Sequence, residues 1–237
     1  MDVVIVVLIF SIVQSILGVG LLVFGTPTLL MLGYGFIETL IILLPCSLVI
    51  SAVQVSTSWR QIDKLKLTLP LLSIPTIAIG IYFSASFDEP SVLYSLIGVG
   101  MVLTAISRLS VKASAFMGRL ASRFLFSYIP IMGLIHGLTN MGGALLTILA
   151  SNLYSDKGKV RSNIAYGYLI FAIAQLTVIF TILGEDIRSL NYYYPVMAVA
   201  VYLSVGKLIY NNIKSGLYNH LVTGLCMAYG LVLLFTK

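Results

Sequence analysis

The stretch Gln14-Ser15-Ile16-Leu17-Gly18-Val19-Gly20-Leu21-Leu22-Val23-Phe24-Gly25-Thr26-Pro27 sits inside an apolar run from residue 2 to residue 33. Its glycines split that run into arms of about 16 and 13 residues, each short of the roughly 20 that a helix needs to cross about 30 Å of hydrocarbon. A weaker copy, Ile135-His136-Gly137-Leu138-Thr139-Asn140-Met141-Gly142-Gly143-Ala144, interrupts the apolar residues 124–154. Backbone freed from helical hydrogen bonding is tolerated at membrane depth only where protein or a wet cavity satisfies it. The two breaks are therefore expected to meet and form a transport site.

The rest of the composition supports a membrane setting. Of 237 residues, 59% are hydrophobic and 9% charged, which excludes an ordinary soluble domain and a disordered chain. The alternation in segments of about 10 residues that marks a transmembrane barrel is missing. The net charge of +6 comes from basic residues scattered over short loops, which fits membrane topology rather than nucleic acid. Residues Met1-Asp2-Val3-Val4 lack a basic signal-peptide start, so the first apolar run reads as part of the mature protein. Cys46 and Cys226 have no C-x-x-C spacing and read as packing residues. No cofactor and no metal site is expected.

The chain divides into residues 1–107, a basic linker at 108–123 and residues 124–237. The first part holds the broken segment and spans near 36–58, 67–86 and 91–107. The second repeats that order, with spans near 161–183, 191–210 and 216–235. A shift of 122 residues places Gly18 on Asn140 and Gly20 on Gly142, and a shift of 121 places Gln54 on Gln175. The linker, with Arg108, Lys112, Arg119 and Arg123, reads as a short amphipathic helix on the membrane surface. If all eight segments cross, the basic residues split 9 to 5; if both broken segments are re-entrant, they split 12 to 2. The positive-inside rule prefers the second arrangement. The expected fold is thus an all-α polytopic membrane protein of two inverted repeats. Each repeat has a re-entrant hairpin and three spans, making eight helical segments.

This arrangement makes an anion site from backbone. A second arm starting near Gly20 or Gly142 has four N–H groups without helical partners and about half a positive charge at its N-terminus. Two such ends near the midplane suit a small anion. Neutral donors stand beside them: Gln14, Ser15 and Thr26 in the first break, and His136, Thr139 and Asn140 in the second. Gln54, Gln175, Ser47, Ser51 and Asn163 lie on the spans that follow. The candidate substrate-binding residues are Gln14, Gly18, Gly20, Thr26, Gln54, His136, Thr139, Asn140, Gly142, Gly143 and Gln175. Single serines such as Ser47 more often serve helix packing. His136 has two readings, a residue that couples a proton to transport and a neutral imidazole bonded to a carbonyl. Tyr166 and Tyr168 more often mark interfaces or packing, although a tyrosine hydroxyl could join the site. Every Arg and Lys falls at or near a loop.

At these breaks the chain resembles the TauE/SafE family of sulfite exporters and anion permeases. Gly18-Val19-Gly20 with Pro27 is similar to the glycine-rich signature that opens the family's first half. Gly133-Leu134-Ile135-His136-Gly137-Leu138-Thr139-Asn140-Met141-Gly142-Gly143 echoes the second-half signature. Leu21, Leu22, Asn140 and Ala144 depart from it. The resemblance implies a secondary transporter in the cell membrane for sulfite, a sulfonate or a related sulfur-containing anion. An anion channel, or a transporter of another small solute, is the alternative, although no charged ring marks a pore. There is no G-x-S-x-G, no H-E-x-x-H and no Walker A loop, so an enzyme is not expected. The expected partners are the anion and the bilayer, and nothing in the chain fixes an oligomeric state.

Overall fold

The computed structural model describes residues 1–17, 20–87, 90–206 and 215–235. Gly18, and Lys207, Lys214 and Lys237 of the charge count, lie outside them. All regular structure among the described residues is helical. The first part contains α1 (Asp2–Leu17), α2 (Leu21–Met31), α3 (Phe36–Ser58), α4 (Leu65–Ala85) and α5 (Pro90–Leu109). The linker forms α6 (Val111–Arg123). The second part contains α7 (Leu125–Thr139), α8 (Gly142–Leu153), α9 (Lys157–Thr181), α10 (Tyr193–Val201) and α11 (Ser215–Phe235).

Among the described residues, three helices are long and apolar enough to cross a bilayer: Phe36–Gln61, which is α3 with a 3-10 turn, α4, and α9. The α5–α6 pair makes a fourth if it is taken as one span, although it is bent by 110°. Six full spans were expected. The difference lies partly in α10, which has nine α-helical residues and passes into a π-turn, Tyr202–Gly206, before the described residues stop. Large apolar side chains point outward, among them Leu67, Leu71, Phe83, Leu103, Phe126 and Val196. Such a surface is stable only against lipid, and the chain is a multi-pass integral membrane protein.

The break between α1 and α2 reverses the chain. A Cβ on Gly20 would stand 2.7 Å from the Val13 side chain and 2.8 Å from the Gln14 backbone nitrogen. Further from the break, Phe10 stacks on Phe24 with ring centroids 6.1 Å apart. Residue numbers rise on one arm as they fall on the other, so the arms are antiparallel. The second break does the same. A Cβ on Gly142 would meet His136 and Met132, and further along the Tyr128 hydroxyl donates to the Leu145 carbonyl at 2.9 Å. Asn152, at the far end of α8, lies against Gly118 of α6, the helix that leads into α7.

The two parts interlock through helix pairs. α3 packs on α9 and α5 on α11; α4 packs on α7 and α9, and α10 on α1 and α3. Small residues permit the closest crossings. Gly133 and Gly137 of α7 face Ser73, Thr76, Ile77 and Gly80 of α4, where a Cβ on Gly137 would meet the Ile77 carbonyl at 2.3 Å. This Gly-x-x-x-Gly stripe brings two backbones together, so two of the glycines in the second-half signature serve packing rather than the break. Gly98 and Gly230 make the equivalent approach between α5 and α11.

Candidate functional site

The second break is built by three consecutive residues. Thr139 donates to the Ile135 carbonyl (2.7 Å) and accepts from the Met141 N–H (3.2 Å), which closes the end of α7. Asn140 then adopts the left-handed conformation, φ 60°, and its N–H donates to His136 (2.7 Å). Asparagine is one of the few residues that visits this region readily, and the turn aims the start of α8 into the protein. One face of α9 covers that start. The Tyr168 hydroxyl lies directly over the Gly143 Cα, where a Cβ would stand only 1.7 Å away. Phe171 lies on the His136 ring with centroids 4.4 Å apart, and the Gln175 amide donates to the His136 carbonyl at 3.4 Å.

The first break is lined differently. Gln14 donates to the Ser47 hydroxyl at 3.2 Å, and Ser47, Ser51 and Gln54 form one buried stripe along α3. Both side-chain polar atoms of Gln54 are buried without a hydrogen-bond partner. Arg161, in the first turns of α9, donates to the Ser15 carbonyl at 2.9 Å. Arg161 keeps the loop-side position expected of every basic residue, yet its long side chain reaches the break and carries the guanidinium to the end of α1.

A fully buried side-chain bond joins the second break to the first half. The Asn140 amide donates to the Thr26 hydroxyl at 2.8 Å. The second break thus meets α2 along its length, six residues beyond Gly20. Gln14, Gly20, Thr26, Gln54, His136, Thr139, Asn140, Gly142, Gly143 and Gln175 are all buried; Gly18 lies outside the described residues. Both ring nitrogens of His136 and the side-chain oxygens of Gln14, Asn140 and Gln175 are buried without hydrogen-bond partners. Buried polar atoms are costly unless paired, so this group marks a polar centre in an apolar protein. Hydroxyls donate as readily as they accept, so the Gln14 and Asn140 amides can turn and present nitrogen while keeping Ser47 and Thr26. Gln175 cannot, because its partner is a carbonyl. Arg161 is the site residue that the sequence did not single out, while Ser47 and Tyr168 join the site although their residue types favour packing or interface positions.

Glu38 lies at the surface, where its carboxylate accepts from the Gly35 N–H at 3.3 Å and caps α3. The α3–α4 loop is tied to the second half by a polar cluster. Asp63 accepts from the Tyr154 hydroxyl (2.6 Å) and from Lys159 (3.5 Å); Ser162 donates to Gln61 and Tyr166 to the Lys66 carbonyl. The Tyr154 hydroxyl, then the Lys64 backbone N–H, hold the Asp63 carboxyl below its ordinary range. A depressed carboxylate contributes stability that is complete above its unfolded value, about 3.9, and is lost as pH falls through the folded value. Thermal melts of Tyr154→Phe are therefore expected to fall below wild type at neutrality and to lose less on acidification, so that the two pH profiles converge in acid. A variant with the wild-type melting temperature at neutrality and the wild-type acid loss would remove this latch.

Residues 3–233 match the family model described as Sulfite exporter TauE/SafE. No curated protein and no solved structure matches the chain.

Proposed function

The chain belongs to the sulfite exporter TauE/SafE family, and from that premise we propose that it moves sulfite, a sulfonate or a related small anion by alternating access. It is a membrane transporter rather than an enzyme. The observation that carries the proposal is the second break, where a glycine-led helix N-terminus is buried beneath Tyr168 and bonded through Asn140 to α2 of the other half.

The N–H groups at the start of α8 ahead of Ala144, which donates to Met141 at 3.3 Å, and those of α2 between Gly20 and Phe24, which donates to Gly20 at 2.9 Å, are the backbone donors to the anion. Gln54 and the reversible amides of Gln14 and Asn140 add neutral donors. Dipoles and neutral donors, with the Arg161 guanidinium only half-buried at the end of α1, suit a carrier, which must release as well as bind. His136 is the candidate for proton coupling, since it is the titratable side chain at the break.

The halves at 1–107 and 124–237 act as inverted repeats. In support, the packing is matched on exchange of the halves. α3 pairs with α9 and α5 with α11, while α4 on α7 and α9 corresponds to α10 on α1 and α3. The contact of Asn152 with Gly118 supports re-entrance, because it returns the end of α8 to the level where α7 begins. Rocking of one repeat against the other then exposes the site to each side in turn.

Purified protein in proteoliposomes is expected to show saturable flux of sulfite or a sulfonate, and the transported anion is expected to raise its melting temperature by mass action. Cysteines introduced as Lys64→Cys and Lys157→Cys are expected to label from the same side; Cys46 and Cys226 are buried. Flux without saturation would favour a channel, and labelling from opposite sides would reject the re-entrant topology.

A further inference from the structure

α6 serves neither break, yet its surface is strongly organised. Ser110 caps it by accepting from the Ala113 N–H at 3.2 Å, and the helix turns 110° from α5, so it lies across the bundle rather than along it. Gly118 and Ala121 are buried, and Asn152 of α8 rests on Gly118. The opposite face is exposed and of two kinds. Phe116, Leu120 and Phe124 recur every four residues as an apolar stripe, and Arg119 and Arg123 stand one turn apart beside it. These five residues and Ser122 line an open pocket of about 460 Å³.

The charge around this pocket is unbalanced. From residue 90 to residue 155 the sequence has no Asp or Glu, while it contains Arg108, Lys112, Arg119 and Arg123. The ion pairs among the described residues, Lys159–Asp63 and Arg188–Asp186, leave Arg119 and Arg123 out. Two adjacent guanidiniums present forks that match phosphate oxygens. Beside them, rings and a leucine at the level where chain meets headgroup suit the first methylenes of an acyl chain. Free inorganic phosphate would leave that apolar stripe exposed.

We propose that the exposed face of α6 binds the headgroup of an anionic phospholipid through Arg119 and Arg123, and that the bound lipid holds α6 against α8. The lipid belongs to the leaflet on the side of Asp63 and Lys159. α8 places it there, since its end touches both α6 and, through Tyr154, the Asp63 cluster. Anionic lipid is concentrated in the leaflet that attracts basic segments. The inference does not depend on what the protein carries.

The test compares protein in phosphatidylcholine vesicles with protein in an equimolar mixture of phosphatidylcholine and phosphatidylglycerol. Melting temperature is read in both, and lipid retained after detergent extraction is read by native mass spectrometry. Wild type is expected to melt higher in the mixture and to retain phosphatidylglycerol. The double variant Arg119→Gln/Arg123→Gln is expected to retain roughly thirtyfold less, at the usual strength of two basic residues near a charged surface. Arg60→Gln/Lys64→Gln, with the same charge change on the α3–α4 loop, is expected to behave as wild type. Equal loss in both double variants would reduce the effect to diffuse attraction and overturn the site. Equal stabilisation by inorganic phosphate in phosphatidylcholine alone would overturn the lipid as its occupant.

Discussion

Gly143→Ala is expected to lower saturable anion flux by roughly fivefold to a hundredfold, since overpacking a filled interior costs about 1–3 kcal/mol and 1.4 kcal/mol is a factor of ten. The added Cβ would stand 1.7 Å from the Tyr168 hydroxyl and 2.4 Å from the ring carbon that bears it. Tyr168 has little room to retreat, because it is fully buried and lies beside the equally buried Phe171. The first turn of α8 must therefore move off α9, and its N–H groups lose their common direction. Gly142→Ala meets a different obstacle, the His136 Cβ at 2.5 Å, and is expected to act in the same sense. Gly100→Ala is the control, since open space surrounds it. There alanine is expected to leave flux unchanged and to stabilise α5 by about 0.5–1 kcal/mol. Combining Gly143→Ala with Tyr168→Ser removes the obstacle and is expected to restore part of the flux, which separates a misaimed helix end from general misfolding. Proteoliposome uptake over a range of anion concentrations measures all four variants beside wild type. Wild-type flux from Gly143→Ala would exclude the start of α8 from the site.

The breaks were legible because glycine and asparagine interrupt runs that otherwise have no reason to stop. Charge counting favours the re-entrant arrangement proposed for them, and the antiparallel arms of each break are compatible with it. What covers each break was not legible from residue type alone. Tyr168 reads as interfacial because tyrosine so often is, yet the shift of 121 that pairs Gln54 with Gln175 also pairs Ser47 with Tyr168 and Ile50 with Phe171. Following that shift along the helix face would have placed Tyr168 over the second break. The Asn140–Thr26 bond spans 114 positions between elements with no shared pattern, and only packing reveals it. Gly133 and Gly137 mislead in the opposite direction. They resemble part of the break, but their spacing of four places both on one helical face against α4. Arg161 escapes for a physical reason: the backbone position of a long basic residue does not tell which way its side chain extends.

Arg161 carries the second large effect. α1 ends at the first break with up to four carbonyls lacking helical partners and about half a negative charge. The Arg161 guanidinium donates to one of them, Ser15, at 2.9 Å. It therefore brings a positive charge from the second half to the tip of the first hairpin, close to where α2 begins. Two consequences separate by experiment. As a donor, the guanidinium steadies the break, and losing it lowers maximal flux. As a cation, it draws the anion in, and losing it raises the half-saturation concentration. Arg161→Gln keeps a shorter donor without charge and is expected to raise half-saturation about tenfold, a change worth 1.4 kcal/mol. Arg161→Lys keeps the charge but not the planar fork, and is expected to hold half-saturation near wild type while maximal flux falls. Salt gives an independent reading, because the Debye length shrinks from about 30 Å at 0.01 M to about 8 Å at 0.15 M. Wild type and Arg161→Lys are expected to lose apparent affinity as salt rises, and Arg161→Gln to respond far less. A glutamine variant with wild-type half-saturation and wild-type salt dependence would confine Arg161 to steadying the end of α1 and leave anion capture to the helix N-termini.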